Sequence, residues 1–154
     1  MQEKDIKKFI FEASRATYAS GDESIKQKEA DGSTSIQYVA GEYRMHDNYF
    51  GGEPYGGREV VFLNAKAVWM MVYYGLVYEG SNKEVYQFLM RALSNNTEEI
   101  PYRGPLHFEE DFWKYENDFE GDVSKFSGTE RIFKNDLLVY EATYLGGFVD
   151  RQLI

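Results

Sequence analysis

Two stretches of this chain align with each other without a gap: YGGREVVFLNAKAVWMMVYYG (residues 55–75) and FSGTERIFKNDLLVYEATYLG (residues 126–146). Seven of the 21 aligned positions are identical, which is more than the shared composition would produce by chance. Asn64 and Asn135 occupy the same place in the two stretches, between apolar runs. Asparagine tolerates the positive φ that a two-residue hairpin loop requires. Each stretch therefore predicts two strands joined by a tight turn.

Each half of the chain also contains the pattern of an amphipathic helix. Apolar residues recur at positions i, i+3, i+4 and i+7 from Ile6, and a similar apolar stripe starts at Val85. Ser81 and Glu84 have the S-x-x-E spacing of a capping box, so we expect the second helix to begin after Ser81. Gly21 predicts the end of the first helix, because glycine accepts the left-handed conformation after a last turn.

Residues 35–51 align with residues 105–121, so the same order of elements occurs twice. We therefore predict an α+β fold made by tandem duplication of a helix-β-β-β unit. The first copy spans about residues 3–79 and the second about 81–148 of a single domain that covers residues 1–154. The three strands of each copy would form a mostly antiparallel sheet, with the two helices packed on it and a pseudo-two-fold axis between the copies.

The two halves differ in how their last strands should be buried. Residues 67–74, AVWMMVYY, are apolar on both parities, which is typical of a central strand covered on both faces. The corresponding strand of the second half has Glu141 and Thr143 on one parity. We expect that strand to expose one face to water.

Composition excludes several classes of function. The net charge is −9, with 26 acidic and 17 basic residues and no basic run, so binding to nucleic acid or to an anionic membrane is not expected. The chain has no Cys, which excludes disulfides and thiolate metal sites. His46 and His107 lack the spacing of metal ligands, and we expect neither a metal nor another cofactor. No signal peptide or membrane-spanning run is present, so we predict a cytoplasmic protein.

We expect any binding site to lie where the two halves differ, because the fold requires what both halves share. The Tyr102-Arg103 pair, between two prolines, has no counterpart in the first half. A cleft lined by Tyr and Trp beside acidic residues would suit a small planar or cationic ligand. The alternative is that these rings form a close-packed core. The candidate ligand-binding residues are Tyr43, Glu59, Trp69, Tyr73, Tyr102 and Arg103.

The acidic residues allow more than one interpretation. Glu59 and Glu130 occupy the same position in the two halves, where they either face each other as a catalytic or cation-binding pair or hold strand ends. Asp47 and Asn117 also correspond, and both fall on otherwise apolar strand faces. Each of the latter two side chains therefore needs a hydrogen-bond partner in the fold or contacts a ligand.

Arg103 has two possible roles on its proline-flanked loop. It could bind a carboxylate or phosphate group of a ligand. It could equally form an ion pair with Glu109 or Glu110 and hold the loop in place. The sequence leaves both roles open.

Five segments are similar to a known family: FEASRATYA (11–19), GEYRMHDNYFGGE (41–53), VWMMVYYG (68–75), PYRGP (101–105) and VYEATYLGG (139–147). They resemble the bacterial family catalogued as domain of unknown function 5680. In that family the domain is often attached behind a helix-turn-helix module, so the resemblance implies a role in regulation. The domain pattern here starts by residue 5, and we expect no DNA-reading module in this chain.

Three functions agree with these observations. We favour a non-enzymatic domain that binds or senses a small molecule. The first alternative is a protein-interaction or self-association domain. The second alternative is an enzyme that uses the paired glutamates. A concave, aromatic-lined pocket would favour the first function, whereas a flat, exposed apolar patch would favour protein interaction.

Overall fold

The computed structural model describes residues 2–151. Its α-helices are α1 (Glu3–Ala16) and α2 (Asn82–Leu93), and two short 3-10 turns follow α1 at Tyr18–Ser20 and Glu23–Ile25. The strands are β1 (Gln27–Lys28), β2 (Thr34–Ala40), β3 (Tyr43–Phe50), β4 (Tyr55–Leu63), β5 (Lys66–Val77), β6 (His107–Glu110), β7 (Trp113–Asp122), β8 (Lys125–Lys134) and β9 (Leu137–Phe148). They form one antiparallel sheet in the order β1-β2-β3-β4-β5-β9-β8-β7-β6.

Both α-helices pack against the same face of this sheet through their apolar stripes. The buried residues of α1 are Ile6, Phe9, Ile10, Ala13 and Ser14, and those of α2 are Val85, Phe88, Leu89, Ala92 and Leu93. The first set packs with Met45 and Trp69 of the sheet, and the second with Trp113 and Tyr140. The predicted α+β class and the two helices packed on an antiparallel sheet are confirmed. Neither helix, nor any other helix within residues 2–151, is long and apolar enough to cross a membrane, and the cytoplasmic location stays a prediction.

The sheet has more strands than the three per half that the sequence predicts. Residues 35–51 form most of the β2–β3 hairpin, and residues 105–121 contain the β6–β7 hairpin. Gly41, with φ 61°, and Asp111, with φ 55°, reverse the chain between the strands. A short turn inside an alternating pattern leaves the periodicity almost unbroken, and each hairpin was therefore predicted as one strand.

The tight turns predicted at Asn64 and Asn135 are confirmed. Asn64 and Ala65 have φ values of 48° and 65°, and Asn135 and Asp136 have values of 50° and 63°. Two consecutive residues at positive φ are the mark of a type I′ hairpin, whose twist matches that of the flanking strands.

The centre of the sheet is the pairing of β5 with β9, in which Tyr73 lies directly opposite Tyr144. The prediction that β5 is covered on both faces is wrong. Val72 is 38% exposed and Tyr74 is 56% exposed, because the helices cover only the face to which Tyr73 points. Leu145, opposite Val72 on β9, is 53% exposed on the same open face.

The ends of the helices agree in part with their predicted caps. The Ser81 hydroxyl accepts a hydrogen bond from the Glu84 backbone N–H at 3.4 Å, as expected at the start of α2. The Glu84 carboxylate accepts a hydrogen bond from Lys134 at 2.9 Å, so the second side chain of the capping box binds the end of β8. Gly21, with φ 71°, ends the 3-10 turn that follows α1, while α1 itself ends at Ala16.

Candidate functional site

A cavity of about 310 Å³ lies between the segment that follows α1, helix α2 and the sheet. Residues 17–26 contribute one wall, and Leu89, Met90 and Leu93 of α2 contribute another. Asp47, Glu59 and Tyr73 reach it from the covered face of the sheet. Segments that are far apart in the chain therefore enclose one space.

Aromatic side chains make up a large part of the cavity lining. They are Tyr18, Tyr49, Tyr55, Tyr73 and Tyr86. Tyr55 is in aromatic contact with Tyr73 and Tyr86, with ring centroids 6.0 and 5.9 Å apart. The Tyr86 hydroxyl donates a hydrogen bond to Glu53, which holds its ring against the cavity. The rings offer flat apolar surfaces and partial negative charge on their faces.

Two carboxyl groups lie side by side on the sheet at this cavity. Asp47 of β3 is directly opposite Glu59 of β4, and side chains at such positions are about 5 Å apart at Cβ. Both residues are buried. The Tyr73 hydroxyl donates a hydrogen bond to Oδ1 of Asp47. The pair is therefore fixed by the register of two strands and by one tyrosine.

Glu59 differs from Asp47 because its Oε2 atom is buried without a hydrogen-bond partner. Burial first, and then the charge of Asp47, raise the pKa of the Glu59 carboxyl to about 8, although Arg103 lowers it. Burial raises the pKa of Asp47 to about 6, against the hydrogen bond from Tyr73 and the charge of Arg103. Both acids of the pair are therefore harder to ionise than exposed carboxyls, and Glu59 more so than Asp47.

Arg103 binds the other glutamate of the sheet. Its Nε and Nη2 atoms donate hydrogen bonds to Oε1 of Glu130 at 3.1 and 2.5 Å. The hydroxyls of Tyr115 and Tyr140 donate to Glu130 at 2.6 and 3.0 Å, and Arg103 also donates to the Tyr55 oxygen at 3.2 Å. Both members of the ion pair are almost completely buried, so each depends on the other for its charge.

The ion-pair partners predicted for Arg103 are wrong. Glu110 pairs with Arg91 at 2.9 Å, and Glu109 lies near His107 at the exposed end of the sheet. Glu109 and Glu110 follow the proline-flanked loop closely in sequence, but their side chains pair with His107 and Arg91. Glu130 lies 27 positions further along the chain and reaches Arg103 only through strand pairing.

The sheet contains two matching pairs of polar residues. Asn117 lies opposite Glu130 on β7 and β8, as Asp47 lies opposite Glu59 on β3 and β4. The Asn117 amide donates to the Gly104 carbonyl at 3.2 Å and accepts from Tyr144 at 2.7 Å. The second pair is therefore complete in its hydrogen bonds, and the first is not.

The difference between the pairs has a visible cause in their neighbours. Tyr115, two residues before Asn117, corresponds in its strand position to Met45. Tyr140, opposite Ile132, corresponds to Trp69, opposite Val61. Methionine has no hydroxyl, and the indole N–H of Trp69 donates to the Val123 carbonyl at 3.1 Å. Glu59 therefore lacks both hydroxyl donors that Glu130 has.

The structure divides the six predicted ligand-binding residues into two groups. Glu59, Tyr73 and Arg103 line the cavity. The other three lie outside its lining and pack with aromatic neighbours: Tyr43 stacks on Phe9, and Trp69 and Tyr102 stack with Phe126. The ligand-binding role of all six residues stays a prediction.

Sequence reasoning missed two cavity tyrosines on or beside the helices. Tyr86 of α2 corresponds to Lys7 of α1 in the alignment of the two halves, and Tyr18 corresponds to Thr97. Both are therefore differences between the halves, which is the same signal that marks Arg103 and Trp69 in the sequence. The same comparison on the helical segments would have found them.

The acidic side chains of the described residues do not gather into a metal-ligating cluster. Within residues 2–151, no three His, Asp or Glu side chains come together as metal ligands. Glu59 and Glu130 form no hydrogen bond with each other in that range, and Glu130 is occupied by Arg103 and tyrosines. The acidic groups that do adjoin each other are Asp47 and Glu59.

Comparison with known proteins gives one match. Residues 47–149, about two thirds of the chain, match the family described as Domain of unknown function (DUF5680). Neither a search of curated proteins nor a search of solved structures found a match. The matched stretch runs from the second half of β3 to β9 and includes α2, and it contains Asp47, Glu59 and Arg103 of the cavity. The chain therefore belongs to the DUF5680 family.

Proposed function

We propose that this chain is a non-enzymatic domain that binds a small planar or cationic molecule in the cavity beside Asp47 and Glu59. One observation carries the proposal. Glu59 is only 1% exposed, faces the cavity, and has an oxygen without a hydrogen-bond partner. A buried carboxyl without a partner destabilises the fold, and a ligand that supplies a donor or a positive charge removes that cost.

The charges around the cavity favour a cation. Its acidic lining residues Asp22, Glu23 and Asp47 outnumber Lys26 and Arg103 even when Glu59 holds a proton. The positive charge of Arg103 is already balanced by Glu130. The cavity therefore has an excess of negative charge, which attracts a cationic ligand toward the buried end where Asp47 and Glu59 lie.

The tyrosines favour a planar ligand. Rings at several angles surround the space, and their faces stack on flat molecules and attract positive charge. A volume of about 310 Å³ suits a molecule with one or two rings. The role in regulation that the family resemblance implies would then be the sensing of such a molecule.

The proposal is tested by a thermal-shift screen of metabolites and drug-like amines, with mass spectrometry of any compound that co-purifies. We expect hits to be enriched in cations and to lose their effect in Glu59→Gln, which keeps the shape of the side chain. Glu116→Gln is the matched control, because Glu116 is exposed on β7. A screen in which no compound depends on Glu59 contradicts the proposal.

Protein interaction is the second candidate function, and a different surface favours it. Val72, Tyr74 and Leu145 form an exposed apolar group on the open face of the sheet. Apolar groups of this kind often mark contacts between proteins. If the chain associates with itself through this face, Tyr74→Lys lowers the mass measured by light scattering, whereas Lys66→Ala at an exposed strand end does not.

We also propose that the fold arose by tandem duplication, with a pseudo-two-fold axis between β5 and β9. Tyr73 and Tyr144 correspond in the sequence alignment and lie opposite each other in the sheet. The order of strands from β2 to β5 mirrors that from β6 to β9. Residues 35–51 and 55–75 should superpose, strand for strand, on residues 105–121 and 126–146 as one rigid body. Different strand paths in the two halves would contradict the duplication.

A further inference from the structure

The acid pair at the cavity narrows the class of ligand beyond a cation in general. Resting on the proposed function, we infer that the ligand presents a guanidinium or amidinium head group to Asp47 and Glu59. Such a group is flat, positively charged, and edged with several N–H donors. The inference rests on the matching pair in the second half, on the geometry of two adjacent acids, and on the surrounding rings.

The second half of the sheet contains the expected interaction within the protein itself. Glu130 holds the guanidinium of Arg103 through two N–H groups, and two tyrosine hydroxyls complete its partners. Glu59 occupies the matching strand position and has neither the arginine nor those hydroxyls. A free guanidinium at Glu59 would therefore reproduce a contact that this fold already uses once.

Two adjacent acids require more than one donor from the ligand. Asp47 and Glu59 lie opposite each other on neighbouring strands, and the Tyr73 hydroxyl occupies Oδ1 of Asp47. A planar fork of N–H groups can reach both side chains at once, in the geometry that guanidinium groups adopt with carboxylates. A quaternary ammonium has no N–H to offer. A primary ammonium is strongly hydrated, so its transfer into a buried site costs more.

The aromatic lining suits the same head group. The Arg103 guanidinium already lies over the Tyr73 ring, with its central carbon 5.6 Å from the ring centroid. Tyr18 and Tyr86 line the cavity from the other sides. Flat, delocalised cations stack on such rings, which adds attraction without a further hydrogen bond.

The test compares four small aromatic probes on the unaltered protein by isothermal titration calorimetry. Benzamidine carries an amidinium, benzamide is its neutral analogue, benzylamine carries a primary ammonium, and benzyltrimethylammonium carries a charge without N–H groups. The titrations are run at a pH above about 8, where Glu59 ionises. Benzamidine and benzylamine are then titrated into Glu59→Gln and into the control Glu116→Gln.

We expect benzamidine to bind at least about tenfold more tightly than benzylamine or benzyltrimethylammonium, the equivalent of one charged hydrogen bond. Benzamide should bind more weakly still, and Glu59→Gln, unlike Glu116→Gln, should lose the preference for benzamidine. Equal or tighter binding of benzyltrimethylammonium overturns the inference while the proposed cation-binding function stands. If no probe binds in a Glu59-dependent way, the inference and the proposed cation-binding function both fail. The series on the unaltered protein keeps the test valid even if Glu59→Gln does not fold.

Discussion

Glu59 is the residue at which stability and binding make opposite demands. Its buried carboxyl lowers the stability of the fold, and the same carboxyl is what a ligand would bind. It is buried beside Asp47, with Arg103 as the nearby positive charge, and Oε2 has no partner. A proton removes the negative charge and makes burial tolerable, which is why the pKa of Glu59 rises to about 8. A residue selected for folding alone would more commonly be apolar at such a position.

The raised pKa of Glu59 predicts a particular dependence of stability on pH. The native state keeps the proton up to about pH 8, whereas in the unfolded chain the carboxyl has its ordinary pKa of 4.5. Between these values the native state binds more protons, so the free energy of unfolding falls as pH rises. In Glu59→Gln this contribution is absent. Between pH 5 and pH 9 we expect the free energy of unfolding of Glu59→Gln to rise relative to that of the wild type by up to about 4 kcal/mol, measured by urea unfolding.

Glu116→Gln is the control for this measurement, because the exposed Glu116 side chain should leave the pH profile unchanged. Asp47 is present in the wild type and in both variants, so the difference between the wild type and Glu59→Gln reports the loss of the second acid of the pair. A wild type and Glu59→Gln with parallel profiles would mean that Glu59 ionises normally and is not buried as described.

Substitution of Arg103 should destabilise the protein, because it removes one member of a buried ion pair. Arg103→Ala leaves Glu130 charged and buried with only tyrosine partners. The free energy of unfolding should fall by about 3–5 kcal/mol. Arg91→Ala breaks the half-exposed pair with Glu110 and should cost less than about 1 kcal/mol. Similar losses for the two variants, measured by urea unfolding, would contradict the assigned partner of Arg103.

Among the elements, those with long regular patterns could be predicted from the sequence. The stripe from Val85 and the Ser81 cap identified α2, and the asparagines located two hairpin turns. The β6–β7 turn could not be found in the same way, because Asp111 adopts positive φ inside an alternating pattern. The exposure of β5 was also hidden, since Val72 and Tyr74 are apolar whether or not anything covers them.

Helix α2 should depend strongly on Phe88, which is fully buried and stacks on Trp113 at 5.2 Å between ring centroids. Phe88→Ala removes this contact and leaves a cavity, so we expect a loss of about 3–5 kcal/mol in the free energy of unfolding. Gln87→Ala, at an exposed position of the same helix, should change stability by less than about 0.5 kcal/mol. A loss under about 1 kcal/mol for Phe88→Ala would mean that α2 does not pack on β7 as described.

In the molecule as a whole, the cavity was the part that the sequence could least predict. Strand register brings Asp47 beside Glu59, and the 3-10 turns bring Tyr18 over them from another part of the chain. Neither contact has a periodic signature. The sequence did indicate Glu59, Tyr73 and Arg103, because identity or difference between the halves made them stand out. It could not separate them from Trp69, which differs between the halves yet belongs to the core.

The enclosure of the cavity predicts which parts of the chain a ligand protects. With benzamidine bound, hydrogen exchange should slow at residues 17–26 and around Leu89 to Leu93, measured by mass spectrometry. The β6–β7 hairpin contributes nothing to the cavity lining and should exchange as before. Slowing spread evenly over the chain, or absent from residues 17–26, would place the compound elsewhere.

The cavity lining comes from two stretches of sequence that divide its properties between them. The matched family stretch, residues 47–149, contains the acid pair and Arg103, whereas Tyr18 and the residues up to Lys26 precede it. The buried acids of the site are thus encoded in the family stretch, and the earlier stretch adds Tyr18 and the exposed charges of Asp22, Glu23 and Lys26. Substituting Tyr18 or Ile25 would change which molecules fit while every charged lining residue stays in place, so selectivity and affinity for a cation can be altered independently by design or by evolution.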